Sequence, residues 1–357
     1  YEISECLVGS EMCIRDRMKK KTKMILAALS LMAIGCSDEP KMDVVCWGDS
    51  LTAPSHTTLK SYVGAKLKGR TDYPTQLQEE LGSAYNVINC GVGGENTLTI
   101  MARQGAAPMK LAHDVTVYND KERKYPMIIG NSDIPTFISS WDNKTTVTPL
   151  VQFGYEEDSP AKVNPCIIKG REYELTSDSK LWIENGKYKA QYNYFIKDSS
   201  PVDSTFTIKN GTVIETAAMH NLRKKYANIF FIGQNGGFKD VADLTAQLKA
   251  MVSYSRSSRF IIVSFHKPNG IINSPKRMTE MEDSLHDAFG KHYINLRKYL
   301  MQHGLQEAGI STTPTDKDSI ARGAVPPSLL KDGVHFTAKG YTVVAKVIAQ
   351  RFKELGY

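Results

Sequence analysis

The residues best suited to catalysis are a serine, a histidine and an aspartate that lie far apart in the chain. Ser50 ends the stretch "VVCWGDS", an apolar run that stops at Gly-Asp-Ser, and "LLKDGVHFTAKGY" holds Asp332 and His335 three positions apart. A serine hydroxyl becomes a good nucleophile when a histidine takes its proton and a carboxylate orients that histidine. We therefore interpret Ser50, His335 and Asp332 as a candidate catalytic triad.

Attack by a serine on a carbonyl also requires N–H donors for the negative oxygen that forms. Two glycine-rich stretches follow apolar runs: "CGVGGENT", which contains Gly94, and "FIGQNGG", which contains Asn235. A glycine allows close approach to its backbone N–H, and an asparagine donates through its side-chain amide. With the N–H of Ser50 itself, the sequence supplies three candidate donors.

Alternating strands and helices must position these residues. "DVVCWGDS" is typical of a strand, "YPTQLQEELG" of a helix with Pro74 in its first turn and Gly82 at its end, and "YNVINCGVGG" of a second strand. From Tyr226 onward the same alternation returns and ends in the helix "TAKGYTVVAKVIAQRFKELG". We expect a parallel sheet covered by helices on both faces, formed by residues 36–114 and 224–357.

The region between these halves, residues 115–223, has a different pattern. Its short runs are rich in Val, Thr, Ile, Tyr and Phe and are broken by Gly, Asn, Asp and Pro, which predicts a β-rich insertion with a hairpin turn at Asn210-Gly211. Its aromatic residues fit either the core of a sheet or a surface on which sugars stack; they are Trp141, Trp182, Tyr188, Tyr192 and Tyr194.

The N-terminal residues predict export. Residues 1–17, "YEISECLVGSEMCIRDR", resemble a translated sequencing adapter, and we leave them out of the fold argument. Residues 18–35 combine a lysine cluster with a short apolar run, as signal peptides do. The following "GC" resembles a bacterial lipobox, so Cys36 is the expected lipidation site. Acidic residues just after it favour the outer membrane, exposure on its outer face included; simple secretion is the alternative.

Charge and cysteine content narrow the classes of partner. The formal net charge of +7 is modest and spread along the chain, which argues against a nucleic-acid partner.

Three of the six cysteines, Cys46, Cys90 and Cys166, lie in the predicted hydrolytic and β-rich regions, where we expect buried free thiols. "CGVGGENT" lacks the third glycine of a dinucleotide loop, and we expect neither a cofactor nor a metal ion.

Taken together, "WGDSLT", Gly94, Asn235 and "DGVH" make the chain resemble the GDSL-type esterases of the SGNH hydrolase superfamily. The resemblance implies a flavodoxin-like three-layer α/β/α sandwich with a parallel sheet. It also implies that Ser50 is the nucleophile, with His335 as base and Asp332 as its orienting group. Ser50, Gly94 and Asn235 would then form the oxyanion hole.

The expected activity is hydrolysis of short acyl esters, mainly O-acetyl esters, on a carbohydrate in the cell envelope. Two alternatives stay open: a lipase or lysophospholipase, and a surface lipoprotein that binds glycans without catalysis. Arg103, which follows the Gly94 stretch, and His266, at the end of the run "RFIIVSFH", are candidates for contact with substrate.

Overall fold

The centre of the molecule is a sheet of five parallel strands, whose residues are largely apolar, as expected for strands covered on both faces. The computed structural model describes residues 40–53, 71–119, 127–131, 136–147, 163–184, 187–198 and 203–357. Every strand and helix described here belongs to one compact unit, Met42–Tyr357. The predicted signal peptide and Cys36 lie outside the described residues.

The elements are numbered along the chain. The strands are β1 (Met42–Gly48), β2 (Tyr85–Gly91), β3 (Met109–Leu111), β4 (Val115–Val117), β5 (Met127–Asn131), β6 (Phe137–Ser139), β7 (Cys166–Ile168), β8 (Arg171–Glu184), β9 (Lys187–Asp198), β10 (Phe206–Ile208), β11 (Ala227–Phe231), β12 (Phe260–Val263) and β13 (Tyr293–Ile294). The helices are α1 (Tyr73–Leu81), α2 (Thr97–Gln104), α3 (Ala217–Asn221), α4 (Val241–Ser255), α5 (Pro275–Phe289), α6 (Leu296–Tyr299), α7 (Leu305–Glu307), α8 (Pro314–Ala321) and α9 (Ala338–Glu354).

The central sheet has the strand order β13-β12-β11-β1-β2, and all four pairings are parallel. Strand β1 lies in the interior, where Val44 is opposite Val87 of β2 on one side and Ala227 of β11 on the other. The chain therefore moves outward from β1 in both directions. In such sheets ligands bind beyond the carboxyl ends of the strands, at the point where the order reverses. That point is the end of β1.

Helices cover this sheet, and their mutual contacts divide them into groups. Helix α1 packs against α9, whereas α2 packs against α4 and α4 packs against α5. The fold is thus α/β with a parallel sheet, in an arrangement compatible with three α/β/α layers. No helix in the described part of the chain is both long and apolar enough to cross a membrane.

Helix α1 shows which local signals allowed the sequence to predict a helix. The Asp72 side chain accepts a hydrogen bond from the Thr75 N–H at 3.0 Å, which caps the first turn, and Pro74 occupies that turn. The helix ends at Leu81, and Gly82 follows with φ +81°. The predicted helix is confirmed to within one residue.

Between α2 and β11 the strands pair antiparallel. Strands β5, β9, β8 and β7 form a four-stranded sheet in that order, and the pairs β10-β4 and β3-β6 form two small ribbons. The predicted turn at Asn210-Gly211 is present, because the Thr212 N–H donates to the Lys209 carbonyl at 3.2 Å. The prediction that this turn joins the two strands of a hairpin was wrong, because the segments before and after it do not pair with each other. β10 pairs with β4, and the residues after the turn form bridges to Lys110 and Ile167 instead.

Candidate active site

The turn after β1 presents Ser50 at the carboxyl end of the sheet. A Cβ atom at Gly48 would lie 2.0 Å from Thr52 Oγ1 and 2.7 Å from the Phe231 carbonyl oxygen, so only glycine fits there. The Asp49 carboxyl accepts from the Leu51 N–H at 2.9 Å, and its carbonyl accepts from the Ala53 N–H at 2.8 Å. These bonds hold the tight turn, on which Ser50 stays partly exposed.

His335 bridges Ser50 and Asp332. Its Nε2 lies 2.9 Å from Ser50 Oγ, and its Nδ1 lies 2.8 Å from Asp332 Oδ2. An ionised carboxylate can only accept, so Nδ1 carries the ring proton and Nε2 offers its lone pair to the serine O–H. This tautomer is the one in which His335 can take the Ser50 proton.

The loop that carries the triad acid is organised around the carboxylate itself. Asp332 Oδ1 accepts from the backbone N–H groups of His335 at 2.8 Å and Val334 at 3.0 Å. These N–H bonds, together with the imidazole on Oδ2, hold the pKa of Asp332 well below its usual range. Gly333 takes φ +78°, a conformation that favours glycine. Asp332 is therefore ionised across the physiological range.

Three candidate oxyanion donors follow three adjacent strands. Ser50 follows β1, Gly94 follows β2 with φ +82°, and Asn235 follows β11. Within the described residues the backbone N–H groups of Ser50 and Gly94 have no acceptor. The Asn235 amide donates one hydrogen to the Glu95 carbonyl at 3.0 Å, and its second hydrogen remains for a ligand. The parallel sheet thus has the three predicted donors follow the carboxyl ends of three adjacent strands.

Arg103 and His266 lie in places that differ from the expected contact with substrate. Arg103 is fully buried and paired with Glu95, because every residue of α2 faces protein. His266 is buried too, with its ring 4.6 Å from that of Phe336, and burial lowers its pKa to about 3. Neither side chain reaches the surface in this structure.

Of the five aromatic side chains named above in the β-rich region, only that of Trp141 lies among the described residues. Trp141 is half-buried, and its indole N–H donates to Asp243 Oδ1 at 2.9 Å at the start of α4. It therefore anchors the loop after β6 to the sheet-covering helices. The side chains of Trp182, Tyr188, Tyr192 and Tyr194 lie outside the described residues.

Cys46, Cys90 and Cys166 are buried and form no disulfide bond within the described residues, as expected from the sequence. Burial holds the pKa of the Cys46 thiol well above its usual range, so this thiol stays protonated and unreactive. In the part of the chain that the structure describes, no group of three or more His, Cys, Asp or Glu side chains could hold a metal ion.

Asp49 is a titratable neighbour of the candidate triad that sequence reasoning missed. It is buried beside the triad, and burial raises its pKa to about 7, against the lowering effect of the Leu51 N–H and of His335. Asp49 Oδ2 has no hydrogen-bond partner among the described residues, which fits a neutral acid. Its position inside Gly-Asp-Ser signalled a turn residue, but not a carboxyl that keeps its proton.

This carboxyl makes stability depend on pH. An unfolded chain releases the Asp49 proton near the ordinary pKa of 3.8, whereas the folded chain holds it to about pH 7. The free energy of unfolding therefore falls as pH rises through that interval. Asp49→Asn has no proton to release, so between pH 5 and 8 it should lose about 3 kcal/mol less than wild type. Urea unfolding of both proteins across this range tests it, and parallel curves would contradict it.

The sequence matches no family model, and a search of curated proteins finds no match for it.

Proposed function

We propose that the chain is a serine esterase of the SGNH hydrolase type that removes short acyl groups, acetyl above all, from carbohydrates. The observation that carries the proposal is the hydrogen-bond chain from Ser50 Oγ through His335 to Asp332, with links of 2.9 and 2.8 Å. Gly94 and Asn235, which follow the strands on either side of β1, support it. In this proposal residues 115–223 are an insertion into a three-layer α/β/α sandwich.

The first half of the proposed reaction forms an acyl-enzyme. Ser50 Oγ attacks the ester carbonyl carbon while His335 Nε2 takes the hydroxyl proton. The carbonyl oxygen becomes an oxyanion, which the N–H groups of Ser50 and Gly94 and the Asn235 amide stabilise. Asp332 stabilises the resulting imidazolium. When the tetrahedral intermediate collapses, His335 gives its proton to the leaving sugar oxygen, and the acyl group stays on Ser50.

The second half returns the enzyme to its starting state. A water molecule attacks the acyl carbon while His335 Nε2 takes one of its protons. The same three donors stabilise the second oxyanion, and collapse releases the carboxylic acid and returns the proton to Ser50 Oγ. His335 thus acts alternately as base and acid, for which the ionised Asp332 keeps it in one tautomer.

The substrate class rests on sequence features. The predicted lipid anchor at Cys36 favours the cell envelope, where acylated glycans occur. The aromatic residues of the β-rich region fit either a surface on which sugars stack or the core of a sheet. A lipase or lysophospholipase with the same triad would prefer long acyl chains.

A covalent probe tests the proposal directly. A fluorophosphonate should label the folded protein at one residue, and peptide mass spectrometry should place the label on Ser50. Chromogenic esters from acetyl to palmitoyl then measure chain-length preference, and acetate release is measured on acetylated xylan, pectin and peptidoglycan. Labelling elsewhere, or none, would reject the serine esterase. Turnover confined to long-chain esters would favour the lipase.

The donor role of Asn235 gives a separate expectation. Asn235→Ala should lower kcat by about 10²-fold or more and leave KM almost unchanged, because the amide acts mainly on the oxyanion of the transition state. Steady-state kinetics on a chromogenic acetate measure both constants. A rise in KM at constant kcat would instead assign Asn235 to binding of the ground-state substrate.

A further inference from the structure

A buried ion pair lies directly behind the candidate oxyanion hole. Arg103 and Glu95 both have fully buried side chains, and the guanidinium donates twice to Glu95 Oε2, at 3.0 Å from Nε and 2.7 Å from a terminal nitrogen. Burying two charges is costly and is not in itself a source of stability. We therefore look for the role of this pair in the groups that it holds in place.

Glu95 contacts both loops that carry oxyanion donors. It follows Gly94 directly in the chain, and its backbone carbonyl accepts the Asn235 amide hydrogen at 3.0 Å. A second link lies beside it, where the Thr97 N–H donates to the Gly236 carbonyl at 3.0 Å. The position of the Glu95 backbone thus sets the plane of the Asn235 amide, and with it the direction of the hydrogen left for a ligand.

Arg103 connects Glu95 to the two strands that carry the other donors. Its guanidinium donates to the Cys90 carbonyl at 3.0 Å, near the end of β2. The same group lies over the ring of Trp47 at 5.5 Å, three residues before Ser50. One side chain in the last turn of α2 therefore contacts the ends of β1 and β2 and the Gly94 loop. A guanidinium suits this place because its planar fork reaches several acceptors at once.

We propose that Arg103 and Glu95 are positioning residues for the oxyanion hole: the pair fixes the Glu95 backbone, and this aligns the Gly94 N–H and the Asn235 amide. The inference rests on the proposed esterase function. Neither side chain touches substrate; the pair acts through Asn235 and Gly94. Preorganised donors stabilise an oxyanion best, since they need no rearrangement during the reaction.

The main test removes both charges together, with Glu95→Leu/Arg103→Met, because one charge left alone in the interior endangers folding. We expect kcat on a chromogenic acetate to fall by about 10-fold to 10²-fold with KM changed less than about threefold. In an Asn235→Ala background the same double change should lower kcat by only about threefold, because its main target is already absent.

A second buried pair provides the matched control. The side chains of Glu282 and Arg297 are almost fully buried, and Arg297 Nε lies 2.6 Å from Glu282 Oε1. This ion pair joins α5 to α6. Glu282→Leu/Arg297→Met should lower the melting temperature and leave kcat unchanged. Should the Glu95/Arg103 double variant fail to fold, Glu95→Gln/Arg103→Gln replaces it, because this change also removes both charges and keeps two polar side chains that can hydrogen-bond. We expect a kcat loss of about threefold to tenfold and, as before, a smaller one in the Asn235→Ala background.

Three results would overturn the inference. The folded double variant could retain kcat within threefold of wild type, its effect could be equally large with and without Asn235, or the control pair could lower kcat to the same extent. Failure of the proposed function is a different result: wild type would then be inert on every ester and unlabelled at Ser50. In that case the positioning role falls with it.

Discussion

Ser50→Ala should lower ester hydrolysis by about 10⁴-fold or more while the protein stays folded. The substitution removes the atom that forms the acyl-enzyme, and His335 then has no hydroxyl from which to take a proton. Ser50 Oγ has its one described side-chain bond with His335, at 2.9 Å, so its loss leaves the turn bonds of Asp49 in place. Initial rates on a chromogenic acetate, together with a thermal melt, measure the effect.

The same variant separates catalysis from glycan binding. If the chain is a glycan-binding lipoprotein without catalytic activity, wild type and Ser50→Ala will both be inert and will bind acetylated glycans equally. If the chain is an esterase, Ser50→Ala should still bind the acetylated glycan and should be unreactive toward a fluorophosphonate. Substantial turnover by Ser50→Ala would show that another residue is the nucleophile.

Asp332→Asn should lower kcat by about 10⁴-fold. The asparagine keeps one oxygen for the N–H groups of Val334 and His335, but it places an amide NH₂ where Oδ2 accepted from the ring. His335 Nδ1 must then offer its lone pair, and its proton moves to Nε2. In that tautomer the ring presents a hydrogen to Ser50 and cannot act as its base.

Unfolding would not explain such a loss, because half of the Asp332 side chain, 51 %, is exposed to solvent. The melting temperature of Asp332→Asn should therefore stay close to that of wild type. Fluorophosphonate labelling of Ser50 should slow in parallel with kcat, since both reactions need the serine proton removed. A kcat within tenfold of wild type would assign the orienting role to another group.

The sheet and the triad were predictable because their signals are local. Most strands of the sheet are short apolar runs, and every described helix of eight residues or more begins at a capping side chain. Ser50, Gly94 and Asn235 each follow a strand at the edge where parallel strands end together. Asp332 and His335 share one tight turn, so their contact needed no knowledge of the rest of the fold. The pairing of β1 with both β2 and β11 then brought distant segments to one place.

Some residues lie in surroundings that differ from those expected, because their contacts come from segments distant in the sequence. From the sequence, Arg103 is a candidate for contact with substrate, yet every residue of α2 is buried and Glu95 compensates the charge of Arg103. From the sequence, His266 ends a strand and is expected near the cleft. In the structure it is buried, with its ring 4.6 Å from that of Phe336. The turn at Asn210-Gly211 could be predicted from its two residues. The pairing of the strand before it could not, because β10 pairs with β4, which is distant in the sequence.

The interior position of β1 has a consequence for how activity appears during folding. Its register joins Val44 to Val87, a partner close in sequence, but also to Ala227, which lies beyond the whole antiparallel region. Closing that long loop costs entropy, and non-local strand pairs generally form slowly. Asn235 reaches the serine only after this closure, and His335 arrives later still along the chain. If the chain is the proposed esterase, recovery of ester hydrolysis should therefore follow this long-range step of refolding, and a nascent chain should be inactive until the segment that holds His335 has been synthesised.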